Sequence, residues 1–173
     1  MLLVQCQFDR HAAAILAIFN DAIVHTTALY DYQPRTMANM ADWFAAKQAG
    51  NFPIIGLENE QGVLMGFASY GPFRAFPAYK YTVEHAVYVE QSHRGRGLGE
   101  ILLRHLLDAA QAQGKHVLVG AIDAENKGSI ALHEKLGFAY SGILPQVGFK
   151  FGRWLDLVFY QKILSTPQQP VDG

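Results

Sequence analysis

Cysteine is almost missing from this chain: Cys6 is the only one in 173 residues, so no intramolecular disulfide can form. Stability then has to come from an apolar core, and a reducing compartment, the cytoplasm, fits that usage. Cys6 reads as a small apolar residue on an early strand. A surplus of charge is missing too. Fourteen Lys and Arg face fifteen Asp and Glu, a net charge of -1, so no global field draws the chain to nucleic acid or to an anionic membrane. Any anion it binds must be held by a local arrangement. Long hydrophobic runs are absent: the apolar stretch 12–19 is closed by Asn20 and Asp21, well short of the ~20 residues a membrane span needs, and no small-residue cleavage pattern follows it. The histidines show no His-x-x-x-His spacing and Cys6 has no partner, so no metal is expected. No internal repeat is present.

What is there is ordinary globular material, with half the residues hydrophobic and 17% charged. The length suits one domain, residues 1–164, followed by a tail, 165–173, in which Pro167 and Pro170 and the lack of an apolar cluster predict a loose end. Residues 2–8 read as a strand, with Asp9 capping a helix that ends near Ile23. Thr36 caps a second helix carrying Met37, Met40, Trp43 and Phe44, closed by Gly50; its aromatics read as core. Residues 52–57 and 63–70 form a hairpin. An aromatic loop, 71–80, leads into a strand at 81–89, and 98–112 is an amphipathic helix. A strand at 116–122, a helix at 127–136 and strands at 138–144 and 154–160 complete a mixed α/β layering.

The densest signal is Gln91-Ser92-His93-Arg94-Gly95-Arg96-Gly97-Leu98-Gly99, between a strand and a helix. Glycines let the backbone approach a ligand and point several N–H groups one way. The helix start adds its positive dipole end, and Arg94 and Arg96 add charge. Together these describe a pyrophosphate cradle. A dinucleotide-binding loop is disfavoured because Glu100 stands where its third glycine belongs, and a P-loop because no Gly-Lys-Ser or Gly-Lys-Thr is present. On spacing alone, a glycine-rich turn with solvated arginines stays open.

Residues 94–99 resemble the Arg/Gln-x-x-Gly-x-Gly/Ala motif of GNAT acetyltransferases. Further matches are Tyr81-Thr82-Val83-Glu84-His85 running into Val87-Tyr88-Val89, then Asn126, and Leu132-His133-Glu134-Lys135-Leu136-Gly137-Phe138. Residues 147–156, Ile18-Phe19-Asn20-Asp21 and Thr26-Thr27 are similar to the subgroup that acetylates phosphinothricin and methionine sulfoximine. The resemblance covers nearly the whole chain. It implies the GNAT fold, a central twisted mixed β-sheet flanked by helices on both faces, with acetyl-CoA as cosubstrate. By resemblance the cofactor contacts are Val87, Tyr88, Val89, Arg94, Gly95, Arg96, Gly97, Leu98, Gly99, Glu100, Asn126, Ser129 and His133. A homodimer and a small amino-acid-like amine substrate are implied as well. Residues 150–156 serve either the interface or the pocket.

Acetyl transfer needs a neutral amine, and deprotonating one near neutral pH costs roughly 1.4 to 4 kcal/mol, which a positioned carboxylate can share. Alternation places Glu84 on one face of its strand with Thr82, Ala86 and Tyr88, opposite Val83, His85, Val87 and Val89. A strand carboxylate is more often solvated or ion-paired; the resemblance instead implies that Glu84 is the general base. His133 stands where many GNAT enzymes have a tyrosine, as a general acid or as a packing residue beside the cofactor. Resemblance to the subgroup gives Arg74, Ala75, Phe76, Glu84 and His85 as substrate contacts, Arg74 meeting a carboxylate. A protein or peptide N-acetyltransferase and a non-catalytic acyl-CoA sensor are the alternatives.

Overall fold

The computed structural model describes all residues, 1–173. Seven strands form one mixed sheet in the order β1-β2-β3-β4-β5-β7-β6, with helices flanking it. By backbone proximity the chain divides into two units, Met1–Ser69 with Ala86–Leu106, and Tyr70–His85 with Leu107–Gly173. The division falls inside β3, β4 and α3.

The first unit holds β1 (Leu2–Gln5), α1 (Phe8–His25), α2 (Met37–Ala49), β2 (Ile54–Glu58) and most of β3 (Leu64–Pro72). Antiparallel pairing joins β1 to β2 and β2 to β3. Helix α1 begins at Phe8, with Gln7 rather than Asp9 as N-cap. The cap role is taken by His11, whose Nδ1 accepts the Gln7 N–H at 2.8 Å and satisfies a donor that the helix start leaves orphaned. Asp9 instead sits in the first turn, where a carboxylate suits the dipole. Because Nδ1 is an acceptor, Nε2–H donates to Glu58 Oε1 at 3.0 Å, and Arg10 donates to Oε2 at 2.7 Å. Glu58 is buried, and a buried carboxylate is tolerable only with such partners.

Helix α2 starts as the sequence predicts, with a capping box between Thr36 and Asn39, and closes at Gly50. The core gathers Ile15, Phe19, Met40, Leu64 and Phe67, with Trp43 and Phe44 packed against it. Phe19 meets Trp43, Phe67 and Tyr88 edge-on at 5.4, 5.1 and 5.2 Å. Full burial of a ring such as Phe67 contributes about 2–3 kcal/mol. Cys6 is buried just past β1, and burial together with Glu58 pushes its thiol up to about 12, an inert packing residue.

In the second unit the β4 (Thr82–Val89) segment Thr82–His85 pairs parallel with β5 (Val117–Asp123). Antiparallel ladders join β5 to β7 (Arg153–Ile163) and β7 to β6 (Ala139–Lys150). The β6–β7 hairpin is longer than the sequence predicts. Its tip turns through Phe151 and Gly152, both left-handed at φ 52 and 74, which matches the twist of antiparallel strands. Helix α3 (Leu98–Ala112) enters this unit at its C-terminal end, and α4 (Lys127–Lys135) lies wholly within it. The tail makes bonds that its composition does not foretell: the Tyr81 hydroxyl accepts from Val171 N at 3.1 Å, and Thr166 O is 2.7 Å from His116 Nδ1. No helix is long and apolar enough to cross a membrane.

Candidate active site

In the first unit, β4 leaves the sheet at Val89 and passes through the short 3₁₀ turn Gln91–His93 into the glycine loop and α3. Gly95 and Gly97 have φ of 74 and 77, a conformation that a side chain resists, and a Cβ added at either would meet nothing within 4 Å. Backbone conformation, rather than crowding, requires glycine here, and the loop faces open space. Gly66 on β3 is a different case: its Cβ would lie 2.8 Å from Tyr88 O and 3.2 Å from Val89 Cα, so its glycine lets the exit of β4 sit close. That signal was hidden in the sequence, because a strand glycine does not announce which backbone approaches it.

The two loop arginines differ. Arg94 is tied down: Nε donates to Val89 O at 3.0 Å and Nη2 to Asp21 of α1 at 3.1 Å. It therefore braces the loop onto the strand it leaves, and Asp21 offsets much of its charge. Arg96 is exposed and enters neither contact, so it is the cation left to a bound anion. Glu90 organises the turn before the loop, accepting from Ser92 N at 2.9 Å and lying 2.6 Å from His93 Nδ1. Glu100 pairs with Arg104 at 2.8 Å, one turn along α3. Leu98 is buried and anchors the helix start. Val87 and Val89 are half-buried, and Tyr88 packs into the aromatic core, where its ring is 5.5 Å from Phe67. These features fit a pyrophosphate-bearing group: left-handed glycines, a helix N-terminus and one uncommitted guanidinium.

In the second unit, Glu84 stands exposed on β4. The protein around it still displaces enough water to raise its carboxyl pKa, with Arg74 pulling the other way. Arg74, Ala75 and Phe76 lie on an exposed loop, where the Arg74 guanidinium sits 5.4 Å from the Phe73 ring centre and Phe76 is 71% exposed. Arg74 and Glu84 thus come together, a cation within electrostatic reach of a carboxylate. His85 does not join them. It lies on the opposite side of β4, buried against His133 of α4 and Phe138. Strand alternation foretold the face, and His85 is only 6% exposed there.

His133 is also buried, its Nδ1 2.7 Å from Ser129 O and its Nε2 2.8 Å from His85 Nε2. Asn126 caps α4, accepting from Ser129 N at 3.1 Å. Burial drives both imidazoles toward the neutral form. His85 is lowered to about 3 by burial and by His133, with the Val119 backbone partly opposing, and His133 is lowered by burial against a Ser129 bond. Although Val119 lies close, His85 Nδ1 forms no well-aligned hydrogen bond. Gly120 was missed by sequence reasoning: a Cβ there would sit 3.0 Å from His133 Nε2 and 3.2 Å from His85 Cε1. No group of three or more His, Cys, Asp or Glu side chains is placed to hold a metal ion.

The sequence pattern of the acetyltransferase (GNAT) family matches residues 14–138. An L-methionine sulfoximine/L-methionine sulfone acetyltransferase of Pseudomonas paraeruginosa is 50% identical over 147 residues, spanning 85% of this chain and 86% of that protein. The L-amino acid N-acyltransferase MnaT of Escherichia coli is 44% identical over 95% of this chain and 96% of its own. Among solved structures, a GNAT superfamily phosphinothricin acetyltransferase of Sinorhizobium meliloti in complex with acetyl-CoA superposes with a TM-score of 0.94 at 31% identity, covering 99% of this chain and 94% of that one.

Proposed function

The chain belongs to the acetyltransferase (GNAT) family, and from that premise we propose that it acetylates the α-amino group of methionine sulfoximine, methionine sulfone, phosphinothricin or a related amino-acid analogue. It is an N-acetyltransferase, and acetyl-CoA supplies the activated acyl group. The observation that carries the substrate class is an exposed guanidinium, Arg74, on the loop leading into β4 and within electrostatic reach of the Glu84 carboxyl. An amino acid bears a carboxylate and an ammonium on one carbon; a guanidinium beside a carboxylate presents the complementary charges in the same small space.

In this mechanism Arg74 holds the substrate carboxylate, while Phe73 and Phe76 cover its side chain. Glu84 takes the ammonium proton, directly or through water, leaving a neutral amine as nucleophile. A raised carboxyl pKa suits the task, because a base closer in pKa to its amine accepts the proton at less cost. Gly95, Gly97, the α3 start and Arg96 hold the pyrophosphate. A backbone N–H from Val87-Tyr88-Val89 steadies the negative charge that develops on the acyl oxygen as the amine nitrogen bonds to the acyl carbon. The C–S bond then breaks, and the departing CoA thiolate takes the second amine proton, directly or through water. Glu84 stands on the strand that runs through Val89 into the glycine loop, so one continuous stretch of chain carries the base and leads to the cradle.

We assign the β6–β7 hairpin to a homodimer. Val147, Phe149, Phe151 and Trp154 are exposed along it, Trp154 by 62%, and apolar groups gathered this densely usually mark an interface. Residues 150–156 then serve the interface. Sedimentation velocity should give a dimer for the native chain and a monomer for Trp154→Glu; a monomeric native chain would remove the assignment. The near-neutral charge supports a small-molecule partner over nucleic acid or membrane, with the cytoplasm as the place of action.

The test is CoA thiol release by purified protein with acetyl-CoA and a panel of amines: methionine sulfoximine, methionine sulfone, phosphinothricin, ordinary amino acids, a polyamine and a short peptide. Selective turnover of the sulfoximine-like compounds supports the proposal. Turnover of the peptide or polyamine alone overturns the substrate, and silence throughout would indicate an acyl-CoA sensor.

A further inference from the structure

We propose that His133 is a positioning residue that fixes His85, and through it the Glu84 segment of β4, rather than the acid that protonates the departing thiolate. The hydrogen bonds determine where the protons lie. A carbonyl only accepts, so the 2.7 Å contact between His133 Nδ1 and Ser129 O puts a proton on Nδ1. A neutral imidazole has one N–H, so His133 Nε2 is a bare acceptor. The 2.8 Å contact between the two Nε2 atoms then requires His85 to donate, Nε2–H to Nε2. That choice strips His85 Nδ1 of its proton, consistent with Nδ1 making no well-aligned hydrogen bond although the Val119 backbone lies near. The chain of bonds runs one way, from His85 through His133 to the Ser129 carbonyl. Each imidazole proton in it is already committed, and none is left for a thiolate.

The surroundings fix the pair in place. The rings stack with centroids 5.1 Å apart at 27°, and Phe138 closes on both, at 5.2 Å from His85 and 5.0 Å from His133. Underneath lies Gly120, where a Cβ would press on both imidazoles. Gly120 is also the register partner of His85, and the β4–β5 ladder ends at that pair, with Glu84 opposite Val119 one step before. A polar clamp at the end of a ladder holds the last paired residues in register. Glu84 is the residue next to the clamp, so its carboxylate inherits that placement. This positioning role rests on Glu84 being the base; the proton assignment itself does not.

Two measurements test it. Long-range nitrogen–proton correlation on the native protein reads the tautomers directly, without turnover. At pH 7, His133 should show a protonated Nδ1 and a bare Nε2, and His85 a protonated Nε2. A charged His133, or one bearing its proton on Nε2, overturns the proposal whatever the enzyme's substrate. The second compares His133→Phe with His133→Gln, the latter keeping one acceptor for His85 Nε2–H and one donor. Loss of the bond to His85 should lower kcat on the order of tenfold in the Phe variant, and the Gln variant should recover to within about threefold. Both should keep the native pH profile. Equal impairment of both variants with loss of the high-pH limb of kcat would make His133 the acid, and an unimpaired Phe variant would make it packing alone; either result overturns the proposal.

Discussion

Replacing His85 with Gln should make the protein more tolerant of acid, although the residue is buried and bonded. His85 is held down to about 3 in the folded protein, against 6.5 for a free imidazole, mainly by burial. As pH falls below 6.5, the unfolded chain takes up this proton while the folded one refuses it, so stability drains into the unfolded state. Each pH unit in that window costs about 1.4 kcal/mol. The loss reaches about 3 kcal/mol at pH 4.5 and roughly 5 by pH 3, a sizeable share of the 5–15 kcal/mol typical of a domain. His133, lowered for the same reason, adds in the same direction. Gln cannot titrate, so His85→Gln removes this part of the slope, at the expense of a small loss at pH 7 where both forms are neutral. Urea unfolding followed by tryptophan fluorescence at pH 7, 5.5 and 4.5 measures the difference. The stabilities of the native and variant proteins should converge as pH falls. Parallel curves would mean that His85 titrates normally in the fold and that its burial has been misjudged.

Gly97→Ala forces a side chain into φ 77, a strain of roughly 1–2 kcal/mol. No atom crowds the site, so that strain alone should lower Tm by roughly 2–8 °C, and the displaced backbone should raise the KM for acetyl-CoA on the order of tenfold. Arg96→Ala should raise the same KM about three- to tenfold and flatten its dependence on salt, because a screened charge contact has been removed. Arg74→Ala should raise the KM for amino-acid substrates more than for simple amines. It should also move the acidic limb of kcat/KM to higher pH, since Arg74 partly opposes the rise that desolvation imposes on the Glu84 carboxyl.

The parts legible in the sequence are those whose backbone demands leave a residue signature. Left-handed turns select glycine, so Gly95 and Gly97 stood out; a capping box selects Thr36 and Asn39; alternation placed Glu84 and His85 on opposite faces. What stayed hidden depends on partners distant in the chain. Asp21 is seventy-three residues from Arg94, and no local pattern tells which arginine of the loop is braced and which is uncommitted. Gly120 looks like any strand glycine until His85 and His133 are seen resting on it. His11 replaced Asp9 as the cap of α1 because its ring also reaches the buried Glu58, a long-range reason. The far half of β6 escaped because Gly142, Pro145 and Gly148 break its pattern and its apolar side chains face outward instead of into a core.

The most direct test of the proposed chemistry is the position of the acetyl group on product. Methionine sulfoximine offers two nitrogens, the α-amine and the sulfoximine. Purified protein given carbon-13 acetyl-CoA and this substrate should yield a single product whose fragmentation places the label on the α-nitrogen, and Glu84→Gln should form it at least about a hundredfold more slowly. Label on the sulfoximine nitrogen, or undiminished turnover by a folded Glu84→Gln variant, would contradict the assignment of Arg74 and Glu84 to the two charges of an amino acid.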